Sequence, residues 1–206
     1  MGHEEKCVEI VQTPITMFNF ALGAIQAWFG LHGLESPTPP SKDQIGVLWA
    51  QYGIETGAGP WCWNFNIGNV KHVKGDGHNY VMLHKVWEVV KGQRVVFEPP
   101  HPATWFRAYE SMNEGMAEHL LFLKEKYAPA WEGVLEGDCH KFALLARQYG
   151  YYTAPLQNYT NGMLAHFYNW INSVWFEEAM RQFENEPSPD RTGDVVHPLT
   201  YDEDEI

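Results

Sequence analysis

The sequence predicts a mainly α protein of the α+β kind, with a helical lobe, a small β-hairpin lobe and a cleft between them. Three observations predict it. Apolar residues recur at helical spacing over most of the chain. One stretch, 80–97, is rich in β-branched residues around a glycine turn. Apolar residues make up 45% of 206 and charged residues 19%, enough for one globular domain with a real core.

The elements follow in order. Thr13-Pro14 reads as an N-cap and first helical position. The helix it opens turns Ile15, Phe18, Leu22, Ile25 and Phe29 inward and ends at Gly30 or Gly33. Residues 15–34 are fairly apolar, but Asn19, Gln26 and His32 interrupt them, so they read as a buried helix and not as a membrane span. Residues 36–40, rich in proline, form a stiff connector. Ser41 starts a second helix, on which Ile45, Leu48, Trp49 and Tyr52 fall at i, i+3, i+4 and i+7, an amphipathic stripe. Glu55 lies at its end or just beyond.

From 64 to 109 the period changes. Residues 80–90, a turn at Lys91-Gly92-Gln93, and 94–97 read as a β-hairpin. Pro99, Pro100 and Pro102 end the second strand, and 105–109 make a short return strand. Ser111 and Glu114 form a capping box for a helix with Met112, Met116, Leu120 and Leu123 on one face. Asp138 caps another, with Phe142, Leu145, Ala146 and Tyr149 inward and Gly150 as its stop. Residues 161–183 give a last helical segment with a break. Residues 1–186 are expected to form a single domain, and the acidic stretch 187–206 a flexible tail.

Charge and composition exclude several functions. The formal net charge is −12, and there are no basic runs to neutralise phosphate, so neither nucleic acid nor insertion into a membrane is expected. Three cysteines give no disulfide framework, although Cys62 and Cys139 could pair. His72, His78 and His84 recur every six residues, which is no ligand face for helix or strand, and no His-Glu-x-x-His occurs. No metal or cofactor is expected. No basic, apolar leader opens the chain, so no signal peptide is expected.

The chemistry centres on Glu55. Breaking a glycosidic bond needs a proton for the leaving oxygen as an oxocarbenium-like centre develops. A glutamate set against tryptophans is partly desolvated, which raises its pKa and keeps that proton available near neutral pH. Trp61 and Trp63 follow closely. Among nine tryptophans they can pack in the core or stack on sugar rings, since an indole offers a flat apolar face with a polar edge.

The run Ala50-Gln51-Tyr52-Gly53-Ile54-Glu55-Thr56-Gly57-Ala58-Gly59, followed by Asn64-Phe65-Asn66-Ile67-Gly68-Asn69-Val70-Lys71, resembles the glucosaminidase-type peptidoglycan hydrolases. These are a branch of the lysozyme-like superfamily. Their pattern is Ala-Gln-x-x-x-Glu-(Ser/Thr)-Gly-x-Gly, then an asparagine-rich loop ending in Gly-Ile-Lys. Further along, Glu88 before the Gly92 turn, Phe106-Arg107-Ala108-Tyr109, the Ser111–Leu123 stretch with His119, and Tyr149-Gly150-Tyr151-Tyr152-Thr153 match later segments in order. The resemblance covers about residues 41–160. It departs at Asn69-Val70, at the extra tryptophans and at Phe142.

The resemblance implies a lysozyme-like fold and hydrolysis of a β-1,4 bond between GlcNAc and MurNAc in peptidoglycan glycan strands, as an endo-β-N-acetylglucosaminidase. It makes Glu55 the general acid, Glu88 a second carboxylate and Tyr151 a cleft tyrosine. Gln51, Trp61, Trp63, Asn64, Asn66, Lys71 and Tyr109 become substrate-binding candidates, and Glu98 is a reserve carboxylate. A lytic transglycosylase or muramidase of the same superfamily is the nearest alternative. A non-catalytic glycan-binding protein and a cell-wall cysteine peptidase using Cys139 are the others, the last because a helix N-terminus lowers a thiol pKa. A wall substrate without an export signal suits a phage lysis or tail enzyme or a secreted effector.

Overall fold

The computed structural model describes residues 4–31 and 38–185. The Gly33 helix end, residues 36–37 of the connector and the tail at 187–206 lie outside the described residues. The order is α1 (Met17–Leu31), α2 (Lys42–Thr56), β1 (Asn79–Met82), β2 (Val86–Val90), β3 (Gln93–Phe97), β4 (Trp105–Ala108), α3 (Met112–Lys126), α4 (Ala128–Glu136), α5 (Cys139–Gln148), α6 (Leu156–Ile171) and α7 (Trp175–Asn185). The architecture is mainly α, as the periodicity predicts.

α2 is the central helix. Ser41 caps it with both halves of a capping box: its side chain accepts from the Gln44 amide, and the Gln44 side chain accepts from the Ser41 amide. The four-residue stripe understates its burial. Every residue from Ile45 to Gly53 is buried, because α1, α4, α5 and α6 surround it, and a helix enclosed on all sides has no polar face. Glycines allow the close packing of α2 on α6. A Cβ on Gly46 would sit 2.8 Å from the rings of Phe167 and Trp170, and one on Gly53 would sit 2.5 Å from the His166 ring. Such overpacking typically costs about 1–3 kcal/mol.

Three expectations are corrected. α1 starts at Met17, and Thr16 caps it, with its hydroxyl accepting from the Asn19 amide at 3.2 Å. Thr13 instead accepts from the Phe65 amide at 2.9 Å and ties the N-terminal segment to the loop after α2. At α3 Ser111 accepts from the Glu114 amide, but the Glu114 carboxylate reaches the Glu110 amide at 2.8 Å, so the reciprocal half of the box is missing. Tyr149 lies on the surface, 58% exposed, past the end of α5. The residues between α3 and α5 form α4, a helix whose short, proline-containing pattern gave no periodic signal.

The β region also differs from a single hairpin. The run 80–90 is split between two sheets: β1 pairs antiparallel with β4, and β2 with β3. Lys85, at φ 55°, makes the break. The Lys91-Gly92 turn has positive φ at both positions, 51° and 78°. That is the pattern a two-residue hairpin turn requires, and glycine supplies half of it without strain. The N-terminal segment straps β1 to the loop after α2. Tyr80 N–H donates to the Lys6 carbonyl and Val8 N–H to the Tyr80 carbonyl, while Asn64 N–H donates to the Val11 carbonyl.

No helix among the described residues is long and apolar enough to cross a membrane. Cys7, Cys62 and Cys139 are all free, so the Cys62–Cys139 pairing does not form.

Candidate active site

Glu55 lies in the last turn of α2. Gly57 stops the helix two residues later at φ 61°, donating its N–H to the Gly53 carbonyl. Glu55 retains some accessible surface, yet protein atoms crowd its carboxyl closely. Desolvation lifts its pKa from 4.5 to about 7, and a hydrogen bond from Tyr159 partly offsets that rise. The Tyr159 hydroxyl donates to Glu55 Oε1 at 3.1 Å. Burial and the Glu55 charge hold the Tyr159 phenol well above its ordinary range, so it stays a donor. Its ring stacks on Tyr152 at 3.6 Å between centroids.

The backbone of Glu55 is also held. The Asn69 side-chain amide donates to the Glu55 carbonyl, one of the orphan acceptors at a helix C-terminus. Asn69 sits at φ 49°, a conformation asparagine tolerates better than most residues. This residue, a departure from the family pattern, therefore has a local role.

Gln51 lies one turn before Glu55 on the same side of α2. Its Nε2 donates to the Tyr151 hydroxyl, and its Oε1 accepts from His119 Nε2 at 2.8 Å. Burial pushes the His119 imidazole down to about 4, so the ring is neutral. With Gln51 Oε1 as acceptor, the proton is on Nε2. His119 packs directly over Gly68, where a Cβ would lie 2.5 Å from the ring. The chain His119, Gln51, Tyr151 thus fixes a phenol beside Glu55 and leaves the Tyr151 proton free to donate. Burial first, then the Glu55 charge, keep that phenol protonated.

The other expected residues divide. Trp61 is 62% exposed, and its indole lies over Gly57, where a Cβ would come within 2.9 Å. It is therefore an open aromatic surface next to the end of α2. Trp63 is half-buried and bridges to Gln12. Asn64 and Asn66 are buried and their amides build the loop. Asn64 accepts from the Val11 amide and donates to the Glu9 carbonyl. Asn66 donates to the Val70 and Arg107 carbonyls and accepts from the Val70 amide. Tyr109 is buried, 5% exposed, beside Arg107. Asn64 and Tyr109 line a hollow of about 410 Å³ with Val8, Val11 and Phe65. Glu55 does not line it.

Glu88, on β2, pairs with Lys71 at 3.0 Å. Lys71 also donates to the Ala103 carbonyl at 2.6 Å and lies 3.9 Å over the Phe106 ring. Lys71 is thus the clasp between the β2–β3 hairpin and the rest of the β lobe. Glu98 pairs with exposed His84 at 3.1 Å.

Cys139 does not have the surroundings of a nucleophile. Asp138 caps α5 as expected, accepting from the amides of His140 and Lys141. The thiol is 3% exposed, and burial, with the charges of Asp138 and Asp43, pushes it up to about 12. A cysteine peptidase needs the opposite shift, and the expectation for Cys139 is corrected.

Tyr159 and Asn69 were the residues sequence reasoning missed. Tyr159 lies one turn into α6, after Pro155, and no spacing rule links it to Glu55 across 104 positions.

No family model matches the chain, and no curated protein matches it. Among solved structures the fold is similar to that of a peptidoglycan hydrolase from Sphingomonas sp. A1. A mutant of that protein superposes with a TM-score of 0.53 at 22% identity, over 80% of this chain and 99% of that one. Another structure of the hydrolase gives 0.50 at 20% identity, over 80% and 94%. At such identities the likeness shows the fold, which is lysozyme-like and mainly α.

Proposed function

We propose that the chain cleaves peptidoglycan glycan strands as a glycoside hydrolase, with Glu55 as the general acid. The observation that carries this reading is the buried Glu55 carboxyl, protonated up to about pH 7 and held by Tyr159. A carboxylic acid that keeps its proton near neutrality can deliver it to a glycosidic oxygen. The resemblance of residues 41–160 and the fold shared with a peptidoglycan hydrolase support the choice of substrate.

The finer reading is an endo-β-N-acetylglucosaminidase acting on the β-1,4 bond between GlcNAc and MurNAc. Glu55 protonates the leaving oxygen. Tyr151, fixed by Gln51 and His119, donates to the acetamido group or the attacking water. Trp61 stacks on a sugar ring, and Trp63 borders the same approach. Glu88 steadies the cation or orients water once its pairing with Lys71 loosens. We assign Asn64, Asn66, Lys71 and Tyr109 to the scaffold, because their polar atoms are already engaged within the protein.

A second reading, lytic transglycosylase, is favoured by the Lys71–Glu88 pair. If Glu88 stays engaged, a single acid does the work and the sugar's own hydroxyl closes an anhydro ring. Digestion of bacterial sacculi, with products identified by mass, separates the two. Reducing GlcNAc ends are the expected result. Anhydro-muramic ends would assign the transglycosylase, and cut peptides on intact glycan would overturn both. Binding with no product would make this a glycan-binding protein.

A further inference from the structure

We propose that Glu5, His72 and Asp76 form a binding site for one first-row divalent cation of the zinc class, which fastens the N-terminal strap to the loop before β1. The proposal is independent of the glycosidase reading. One ring nitrogen of His72 and one carboxylate oxygen from each of Glu5 and Asp76 lie within 4.8 Å of one another. The side chains keep only 15%, 1% and 9% of their accessible surface, respectively. Bulk water therefore contributes little to their solvation, and buried charges need partners.

The carboxylates are aimed by a surrounding shell, as metal ligands usually are. Both Glu5 oxygens accept from backbone amides, Oε1 from Gly77 at 2.7 Å and Oε2 from Gly75 at 3.0 Å. Gly75 and Gly77 have φ of 94° and 79°, which lets both amides converge on one carboxylate. Asp76 Oδ2 accepts from Arg107 Nε at 2.9 Å and from the Val73 amide at 3.1 Å. Asp76 Oδ1 accepts from the His78 amide at 3.1 Å and faces His72. The His72 ring is held flat against Tyr80, 4.5 Å between centroids.

His72 supplies a second, independent observation. Its Nδ1 is buried and makes no hydrogen bond, although Asp76 Oδ1 is only 2.9 Å away. Its other ring nitrogen, Nε2, faces Glu5 Oε2 at 3.6 Å. Two carboxylates against one guanidinium leave a residual negative charge.

One imidazole with two carboxylates suits a borderline ion better than Ca²⁺ or Mg²⁺, which prefer oxygen alone. At ligand distances of about 2.0–2.2 Å, such an ion draws the three side chains together by about an ångström. The sequence hides this site. Glu5 lies far from the loop in the chain, and His72 and Asp76 are not on a helix.

The test uses the full chain, stripped with chelator and titrated with ZnCl₂ by calorimetry and thermal denaturation. The expected result is one saturable site and a rise of several degrees in Tm. H72Q should weaken that site by at least about tenfold, and H84Q, at an exposed histidine, should leave it unchanged. If H72Q fails to fold, E5Q decides, since Glu5 sits on the strap and not in the core. No saturable site, or the same affinity in H72Q or E5Q as in the parent, would overturn the proposal.

Discussion

Two glutamates in this molecule stand in opposite surroundings. Glu55 sits on the central helix, with its carboxyl desolvated, its Oε1 accepting from Tyr159 and its carbonyl held by Asn69. Glu88 sits on a two-stranded hairpin, about half exposed, and answers to Lys71. The first environment keeps a proton on the acid, while the second tethers the carboxylate to Lys71. A hairpin of two strands is marginal by itself, so what Lys71 holds it can also release. The difference teaches that one acid is built into the core and the other is carried on a separable piece.

The largest effect is expected at the fixed side of this contrast. E55Q should lower kcat/KM on sacculi by about a thousandfold, since general acid catalysis contributes about 10²–10⁴, with the far-UV spectrum unchanged. Retention of more than a tenth of parent turnover would take the acid role away from Glu55.

The same variant should be more stable than the parent at alkaline pH. Below about 4.5 the carboxyl is protonated in both folded and unfolded chains, and its burial carries no ionisation cost. Between 4.5 and about 7 the unfolded chain ionises first and stability is lost; above about 7 the loss is complete. A rise from 4.5 to about 7 corresponds to at most about 3 kcal/mol. Denaturant midpoints at pH 4 and pH 8 would check this, and a pH-independent difference would refute the raised pKa.

Gly68→Ala should cost about 1–3 kcal/mol, because the new Cβ would meet the His119 ring at 2.5 Å. Thermal denaturation reads the loss. A neutral result would mean that the His119, Gln51, Tyr151 chain is not rigidly seated.

On the hairpin, E88Q should reduce turnover by about tenfold, equivalent to about 1.4 kcal/mol, with unaltered Tm. K71M should do the same if the clasp sets where Glu88 goes. Unchanged rates in both would make the hairpin a spectator and favour the single-acid reading.

The smallest effect is expected for Y159F. Its hydroxyl favours the charged carboxylate, so its loss should move the alkaline limb of kcat/KM upward by about one pH unit or less, a hydrogen bond being worth about 0.5–1.5 kcal/mol. A downward shift would reverse the assigned role of Tyr159.

Local patterns carried much of the fold into view. Ser41 announced the start of α2, Asp138 that of α5, and Lys91-Gly92 the turn of β2–β3. These signals act within a few residues, so a sequence displays them directly. α4 and the split of residues 80–90 between two sheets were not legible, because strand partners are chosen by packing and not by local preference. At the site, Glu55, Gln51 and Trp61 were visible as residues in one run. Tyr159, Asn69 and the clasp between Lys71 and Glu88 were not.

By itself the sequence determined the mainly α class, the caps of α2 and α5, the hairpin turn and the carboxylate at the end of α2, because each depends on neighbours in the chain. Only the tertiary structure decided what that carboxylate is. Its pKa near 7 comes from atoms that α6 and the loop after α2 bring around it. Desolvation and a hydrogen bond act through space over a few ångströms, and no spacing along the chain encodes that distance.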